Sequence, residues 1–427
     1  MNYKDAVAWI EGFHRFGIQL GLDRIEQVLH MLDDSHKKTR FVHVAGTNGK
    51  GSVCRYISSI LTSEGYKTGL YLSPHLVDFR ERFQLNDDYI SKKRFADIVN
   101  RVQPVIEEFT ANGTQLTYFE VCTIIAFVFF ADEQVDYAVV EVGLGGRYDA
   151  TNVIEPMVSV ITNVSLDHQR LLGDSLQAIA TEKAGIIKPQ IPVVTAAEEP
   201  ALSIISTTSE KQRSSLTVVS KDKILVQESS SSFQTILFHG SFDDYQVSTH
   251  QIGWYQPINI ALSIAVIEVL QQQGVFVTKE SIITGIKEMN HPGRMQILQH
   301  NPIVVVDGAH NPDAMKQAVE SIKNLFSFDR LIVIFGVMKD KDIKEMLKEL
   351  LPITDIIIVT RPKLDRAAPT NELAHLISKI DSTKQIIKTE TVKEAHDESL
   401  KIANEKDVIF CTGSLFTVGE LLQIYSV

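Results

Sequence analysis

Cysteine is scarce in this chain. Cys54, Cys122 and Cys411 are the only three in 427 residues, far apart and without paired metal-type spacing. That pattern excludes a disulfide framework and a thiolate zinc site, and each is expected as a small buried hydrophobe. Positive charge is also short: 42 Lys and Arg against 53 Asp and Glu leave a formal charge of −11. Such a balance opposes contact with polyanions, so no nucleic acid is expected as a partner. Long apolar runs are missing as well. The longest, Val121 to Ala131, is too short to span a bilayer and reads as a buried helix, so no membrane association is expected. The first twelve residues carry Lys4, Asp5 and Glu11 where a secretory leader needs an apolar core. A cytoplasmic monomer is the expectation.

What is present is a composition ordinary for a folded protein, 44% hydrophobic and 22% charged. The length exceeds what one growing core supports, which implies two domains. β-branched runs ending in glycine, Phe41 to Gly46 and Tyr137 to Gly143, alternate with amphipathic stretches such as Arg24 to Leu32 and Ser52 to Leu61, the pattern of βαβ units. Further strands are expected at Thr68 to Leu72, Met157 to Thr162 and Pro192 to Ala196. Between Ala197 and Gln251 the texture changes to short β-like segments around Ser229 to Ser232, which predicts an antiparallel flap. From Pro302 the alternation restarts, with strands expected at Ile303 to Asp307, Leu331 to Phe335, Asp355 to Thr360, Gln385 to Lys388 and Val408 to Thr412. The restart predicts a second parallel-sheet domain. His291-Pro292-Gly293-Arg294 marks the boundary, giving domains 1–295 and 296–427 and a cleft that is able to close.

One motif carries chemistry by itself. Gly46-Thr47-Asn48-Gly49-Lys50-Gly51-Ser52 follows an apolar strand and opens a helix, the context of a phosphate-binding loop. Its glycines let the backbone wrap phosphate, N–H groups at the helix start hold anionic oxygens, and Lys50 neutralises β/γ charge. Ser52 offers a Mg²⁺ contact. Ala45 stands where the common form has its first glycine, so the loop is one residue tighter.

The loop, followed in order by Ser73-Pro74-His75-Leu76, Glu141-Val142-Gly143-Leu144-Gly145-Gly146-Arg147, Glu182-Lys183-Ala184-Gly185-Ile186, Pro292-Gly293-Arg294, Asp307-Gly308-Ala309-His310-Asn311-Pro312, Lys339-Asp340-Lys341-Asp342 and Gly413-Ser414-Leu415, resembles the folylpolyglutamate synthase and dihydrofolate synthase family of Mur ligases over essentially the whole chain. The resemblance implies an α/β protein: an N-terminal phosphate-loop ATPase domain with a small β-rich subdomain, and a C-terminal Rossmann-like domain. It implies ATP and Mg²⁺ as cofactors, with L-glutamate and folate or dihydropteroate as substrates. The carboxylate of the folate or pteroate would be phosphorylated by ATP and then captured by the amine of glutamate.

By match to the family, Thr47, Asn48, Gly49, Lys50, Gly51, Ser52, Asn259, Arg294, Asp307 and His310 would contact ATP. Ser52, Ser73, Glu141 and His168 would ligate magnesium, as would a carbamylated Lys183. Lys50, Lys183 and His168 would be catalytic, and Leu22, Ser73, Pro74, His75, Arg82 and Phe119 would lie near the folate or pteroate. Taken singly, several have bland alternatives: Ser73 as a turn former, Glu141 as a hydrogen-bonded buried acid, Lys183 as a solvated or ion-paired cation, Phe119 as core. One departure stands out. Where the family pattern has histidine, in Gly-x-His-Gln-x-x-Asn-Ala, this chain has Tyr255. Two other readings remain open, a cell-wall amino-acid ligase of the same superfamily and a phosphate-loop switch ATPase without a small acceptor.

Overall fold

The computed structural model describes residues 1–427 apart from Ile18, Asn112, Ser426 and Val427. The first part of the chain runs α1 (Tyr3–Glu11), α2 (Asp23–Met31), β1 (Arg40–Ala45), α3 (Lys50–Ser63), β2 (Thr68–Tyr71), β3 (Phe83–Leu85), β4 (Asp88–Tyr89), α4 (Lys92–Thr110), α5 (Tyr118–Glu133) and β5 (Tyr137–Glu141). It continues with β6 (Pro156–Ile161), α6 (Gln169–Leu172), α7 (Leu176–Ala184), β7 (Val193–Thr195), α8 (Ala201–Gln212) and β8 (Leu216–Val218). These strands form one eight-stranded sheet in the order β4-β3-β2-β5-β1-β6-β7-β8, parallel from β2 to β8. β1 and β5 are apolar runs because both faces are covered, as parallel sheets require: Phe41 to Ala45 and all of β5 are buried. α5 is apolar on every side and buried from Glu120 to Phe130. Thr117 and Glu120 close its start with a reciprocal capping box.

Because β1 pairs with β5 and β6 while the chain leaves it for β2, the sheet reverses its winding at β1. A crevice opens there at the carboxyl ends of the strands, and the glycine-rich loop sits in it.

Next comes a three-stranded antiparallel sheet of β9 (Ile224–Ser229), β10 (Gln234–His239) and β11 (Asp244–Thr249), then α9 (Gln256–Gln272) and α10 (Lys279–Glu288). The inner face of this small sheet, through Ile236, Phe238, Tyr245 and Val247, shares a core with α3, α9 and α10. The expected flap is therefore real but shorter than the segment Ala197 to Gln251. Its first part is α8 plus β8, which extends the main sheet. α8 is rich in Ser and Thr, poor helix formers, yet Ala201, Ile205 and Ser209 recur every four residues and bury one face.

The last part comprises β12 (Gln296–His300), β13 (Ile303–Val306), α11 (Pro312–Leu325), β14 (Leu331–Phe335), α12 (Ile343–Leu350), β15 (Ile356–Val359), α13 (Thr370–Ile380), β16 (Gln385–Lys388), α14 (Val392–Ile402), β17 (Val408–Thr412) and α15 (Leu415–Tyr425). Its six strands are ordered β12-β13-β17-β14-β15-β16, with a hydrophobic core on each face. All five strands expected from Ile303 onward are present. β12 is an addition, an antiparallel edge strand whose sequence Gln-Ile-Leu-Gln-His lacks β-branched enrichment.

Candidate functional site

The glycine-rich loop connects β1 to α3 in a conformation only glycine adopts easily. Gly49 caps α3 with φ of 82°, and a Cβ there would lie 2.6 Å from Asn259 Oδ1. Gly46, with φ of 151°, lies so close to Thr162 that a Cβ would reach within 1.8 Å of its hydroxyl. The loop is fastened to the turn after β6: Thr47 N donates to Asn163 O (3.0 Å), Asn48 N to Asn163 Oδ1 (2.8 Å), and Thr162 Oγ1 to Asn48 O (2.6 Å). Lys50 Nζ rests on Thr47 O at 3.1 Å, held at the mouth of α3 where the helix dipole favours anions.

Beside the loop, Glu141 ends β5 with 6% exposure and accepts from Ser73 N at 2.9 Å. Burial raises its pKa, opposed by Lys50, the Ser73 amide and Arg294. Ser52 Oγ is 3.0 Å from Nδ1 of His291, which burial keeps neutral. Lys183, on α7, is 4% exposed and donates from Nζ to Gly46 O at 2.7 Å. No carboxylate among the described residues forms an ion pair with it. Burial, then Lys50, pushes its pKa down to about 7. Neither bland alternative, solvated or ion-paired, describes this amine.

Two loops of the second sheet face this arrangement. Asp307, at the carboxyl end of β13, accepts from Met295 N (3.0 Å), Ala309 N (2.9 Å) and the Tyr255 hydroxyl (2.6 Å). Asp167, beside His168, pairs with Lys341 at 2.7 Å and accepts from Asn311 Nδ2 at 3.2 Å. Burial opposes its ionisation, but Lys341, then His168 and His310, outweigh that and hold the carboxyl well below the usual range. Asn48 of the glycine loop completes the bridge. Its Nδ2 donates to Asp313 Oδ2 (2.9 Å), and its Oδ1 accepts from Asn311 Nδ2 (2.9 Å).

A cavity of about 800 Å³ joins these groups, lined by Gly46 to Ser52, Ser73, Pro74, Glu141, His168, Lys183, Asn259, Arg294, Asp307 and His310. Every residue expected to contact ATP or magnesium lines it. Among the described residues no group of three or more His, Cys, Asp or Glu side chains is placed to hold a metal ion.

The expected folate residues divide. Ser73 and Pro74 line the cavity, while the other four lie outside its lining. Arg82 is 6% exposed, donates from Nε to His75 Nδ1 at 2.9 Å, and sits over the rings of Phe79 and Tyr118. His14 stacks on Tyr118 with centroids 3.7 Å apart. Phe119 packs into the core, pressed on Gly143 and near Tyr71. Leu22 precedes α2, half-buried.

Residues 44–267 match the Mur ligase middle domain and residues 293–415 the Mur ligase glutamate ligase domain. The dihydrofolate synthase/folylpolyglutamate synthase of Bacillus subtilis is 35% identical, covering 98% of both chains. The chain belongs to the folylpolyglutamate synthase family of Mur ligases. Among solved structures, Mycobacterium tuberculosis folylpolyglutamate synthase complexed with ADP superposes with a TM-score of 0.93 at 27% identity, covering 100% of this chain and 99% of that one. E. coli FolC in complex with DHPP and ADP gives 0.89 at 28% identity, covering 100% and 98%.

Within this folylpolyglutamate synthase frame, sequence reasoning missed Asp167, Asn311, Asp313 and Lys341 as bridging residues, and His14 as the ring stacked on Tyr118 beside Arg82. Asn311, Asp313 and Lys341 fall in or next to motifs that carried the family resemblance, while Asp167 adjoins only His168. Nothing local marks them, because their partners lie more than a hundred residues away.

Proposed function

We propose that this chain joins the amine of L-glutamate to a carboxylate of folate, and that dihydropteroate is a second acceptor at the same site. An acceptor carboxylate oxygen attacks the γ-phosphorus of ATP and ADP departs. The glutamate amine then attacks the acyl phosphate, and inorganic phosphate leaves as the amide forms. The observation that carries this reading is the single cavity in which the glycine loop, buried Glu141 and the Asp307–His310 loop face one another. A ligase needs ATP, acceptor and amine in one closable space that keeps water from the acyl phosphate.

In this reading Thr47 to Ser52 cradle the phosphates, Lys50 neutralises the charge of the transferring group, and Asn259, Arg294, Asp307 and His310 hold the rest of ATP. Ser73 and Pro74 flank the acceptor, while Leu22, His75, Arg82 and Phe119 lie outside the cavity lining. Mg²⁺ suits the oxygens of Ser52, Ser73 and Glu141, since a buried carboxylate without an ion-pair partner gains from a divalent cation. Bound there it would neutralise β- and γ-phosphate oxygens. His168 would complete the shell of a second ion. Lys183 supports a further modification: the neutral amine favoured by burial is the form that adds CO₂, releasing a proton and leaving a carbamate oxygen donor. Residues 1–295 would act as the ATPase domain and 296–427 as the glutamate-ligase domain of a cytoplasmic monomer. No described helix is long and apolar enough to cross a membrane.

ADP release, measured with tetrahydrofolate or dihydropteroate and with glutamate, separately and together, tests the reading. Release that requires acceptor and glutamate together is expected. Release independent of both would falsify it in favour of a switch ATPase, and release driven by a cell-wall precursor would reassign the acceptor.

A further inference from the structure

The segment Ile252 to Tyr255 links two parts of the molecule that the cavity separates. Ile252 is buried in the core of the second sheet beside Met295 and Val305. Trp254 N donates to Ser321 Oγ on α11 at 2.8 Å. Gly253 turns the chain with φ of 136°, and a Cβ there would come within 3.1 Å of the Tyr255 ring, so the turn and the ring's position are set together. Tyr255 is then the residue just before α9, and one turn into that helix stands Asn259, against Gly49 of the phosphate loop. The phenol oxygen ends 2.6 Å from Asp307 Oδ2.

Three donors hold Asp307, and the phenol is the only side chain among them. Oδ1 is satisfied by Ala309 N, while Oδ2 has two donors, Met295 N and the phenol. Arg294 lies close by: its Nη1 would be 2.3 Å from a Cβ on Gly308, and no hydrogen bond or ion pair to Arg294 exists among the described residues. Without the phenol, Oδ2 keeps only the Met295 amide, and its vacated lone pair is drawn to the neighbouring unpaired guanidinium. A direct Asp307–Arg294 pair would remove two cavity-lining groups from any ligand at once.

We propose that Tyr255 is a positioning residue for nucleotide: by bonding Asp307 it keeps Asp307 and Arg294 apart and ties the Asp307 loop, through α9 and Asn259, to the phosphate loop. This rests on the ligase reading for what the cleft holds, and extends it to a side chain where this sequence departs from the family's histidine. Tyr255 sets where two nucleotide-facing side chains point.

The test is Tyr255→Phe, read by calorimetric titration with MgADP and by steady-state kinetics. Removing the hydroxyl should weaken ADP and raise the KM for ATP by about tenfold, the loss expected for one hydrogen bond to a buried carboxylate. The kcat and the KM for glutamate should stay at parental values, and the nucleotide-free denaturation midpoint should fall by no more than the loss of one hydrogen bond accounts for. In a double-mutant cycle with Asp307→Asn, the two losses should fall well short of additive. Parental ADP affinity in Tyr255→Phe, additive losses, or a lowered midpoint with all kinetic constants degraded together would each overturn the proposal. A parent that binds ADP but consumes no ATP with any folate acceptor would refute the ligase reading alone, because the ADP titration still reads the positioning.

Discussion

Replacing Lys183 by methionine should stabilise the ligand-free chain while abolishing ligation. The lysine is 4% exposed, its one hydrogen bond among the described residues goes to the Gly46 carbonyl, and its pKa falls from 10.5 to about 7 under burial and the Lys50 charge. At about 1.36 kcal/mol for each pH unit, that fall places ~5 kcal/mol of penalty on the charged form in the folded state. Between pH 7 and 10.5 the native chain binds fewer protons at this site than the unfolded chain, so stability rises with pH through that window. The penalty is complete below pH 7 and gone above 10.5. Methionine, of similar length, escapes it at every pH and forfeits only the Gly46 bond, about 1 kcal/mol. In CO₂-free buffer, urea unfolding should therefore favour Lys183→Met by several kcal/mol at neutral pH, and the gap should narrow by ~2–3 kcal/mol by about pH 9. A gap that does not change with pH would refute the assignment of a buried amine with a lowered pKa. Added bicarbonate should shift the parent's curve and leave the variant's alone if the carbamate forms.

The remaining predictions concern the loop and the bridge across the cleft. Lys50→Ala should lower acceptor-dependent ADP release by at least about a hundredfold, the loss of one preorganised charge on the transferring phosphoryl group; a rate near the parent's would remove Lys50 from the chemistry. Gly49→Ala forces a side chain into left-handed backbone against Asn259, so it should cost about 1–3 kcal/mol in chemical denaturation and abolish ADP binding by titration. Lys341→Met leaves Asp167 buried without its main cation and should cost about 3 kcal/mol, most of it recovered when Asp167→Asn is added; additive losses in the same unfolding assay would show the pair uncoupled.

Much of the architecture is legible in the sequence because the physics is local. Val42, Val44 and Tyr137 to Val140 are apolar since both faces of the sheet are covered, and the glycines at 46 and 49 are required by positive φ and close approach to Thr162 and Asn259. α8 escapes the same reading because Ser and Thr mask its buried stripe, and β12 because an edge strand needs no β-branched run. At the site, the boundary between legible and hidden follows chain separation. Lys50 announces its role through its neighbours. Lys183 looks like a surface cation beside Glu182 until the fold buries it, and Asp167 and Lys341 acquire meaning only when two loops 174 residues apart meet.

Ile252 has a consequence for how this molecule is taken apart. It precedes α9, whose helix packs against α3 in the first part of the chain, yet it sits with Met295 in the core of the second sheet. A fragment ending at 295 would carry away two residues of that core, and a fragment starting at 296 would be left with a hole. The chain crosses between its halves three times, where a simple two-bead picture allows one crossing. Separate expression of the halves, or their exchange with those of a relative, has to respect that stitch, and the two should unfold together rather than one after the other.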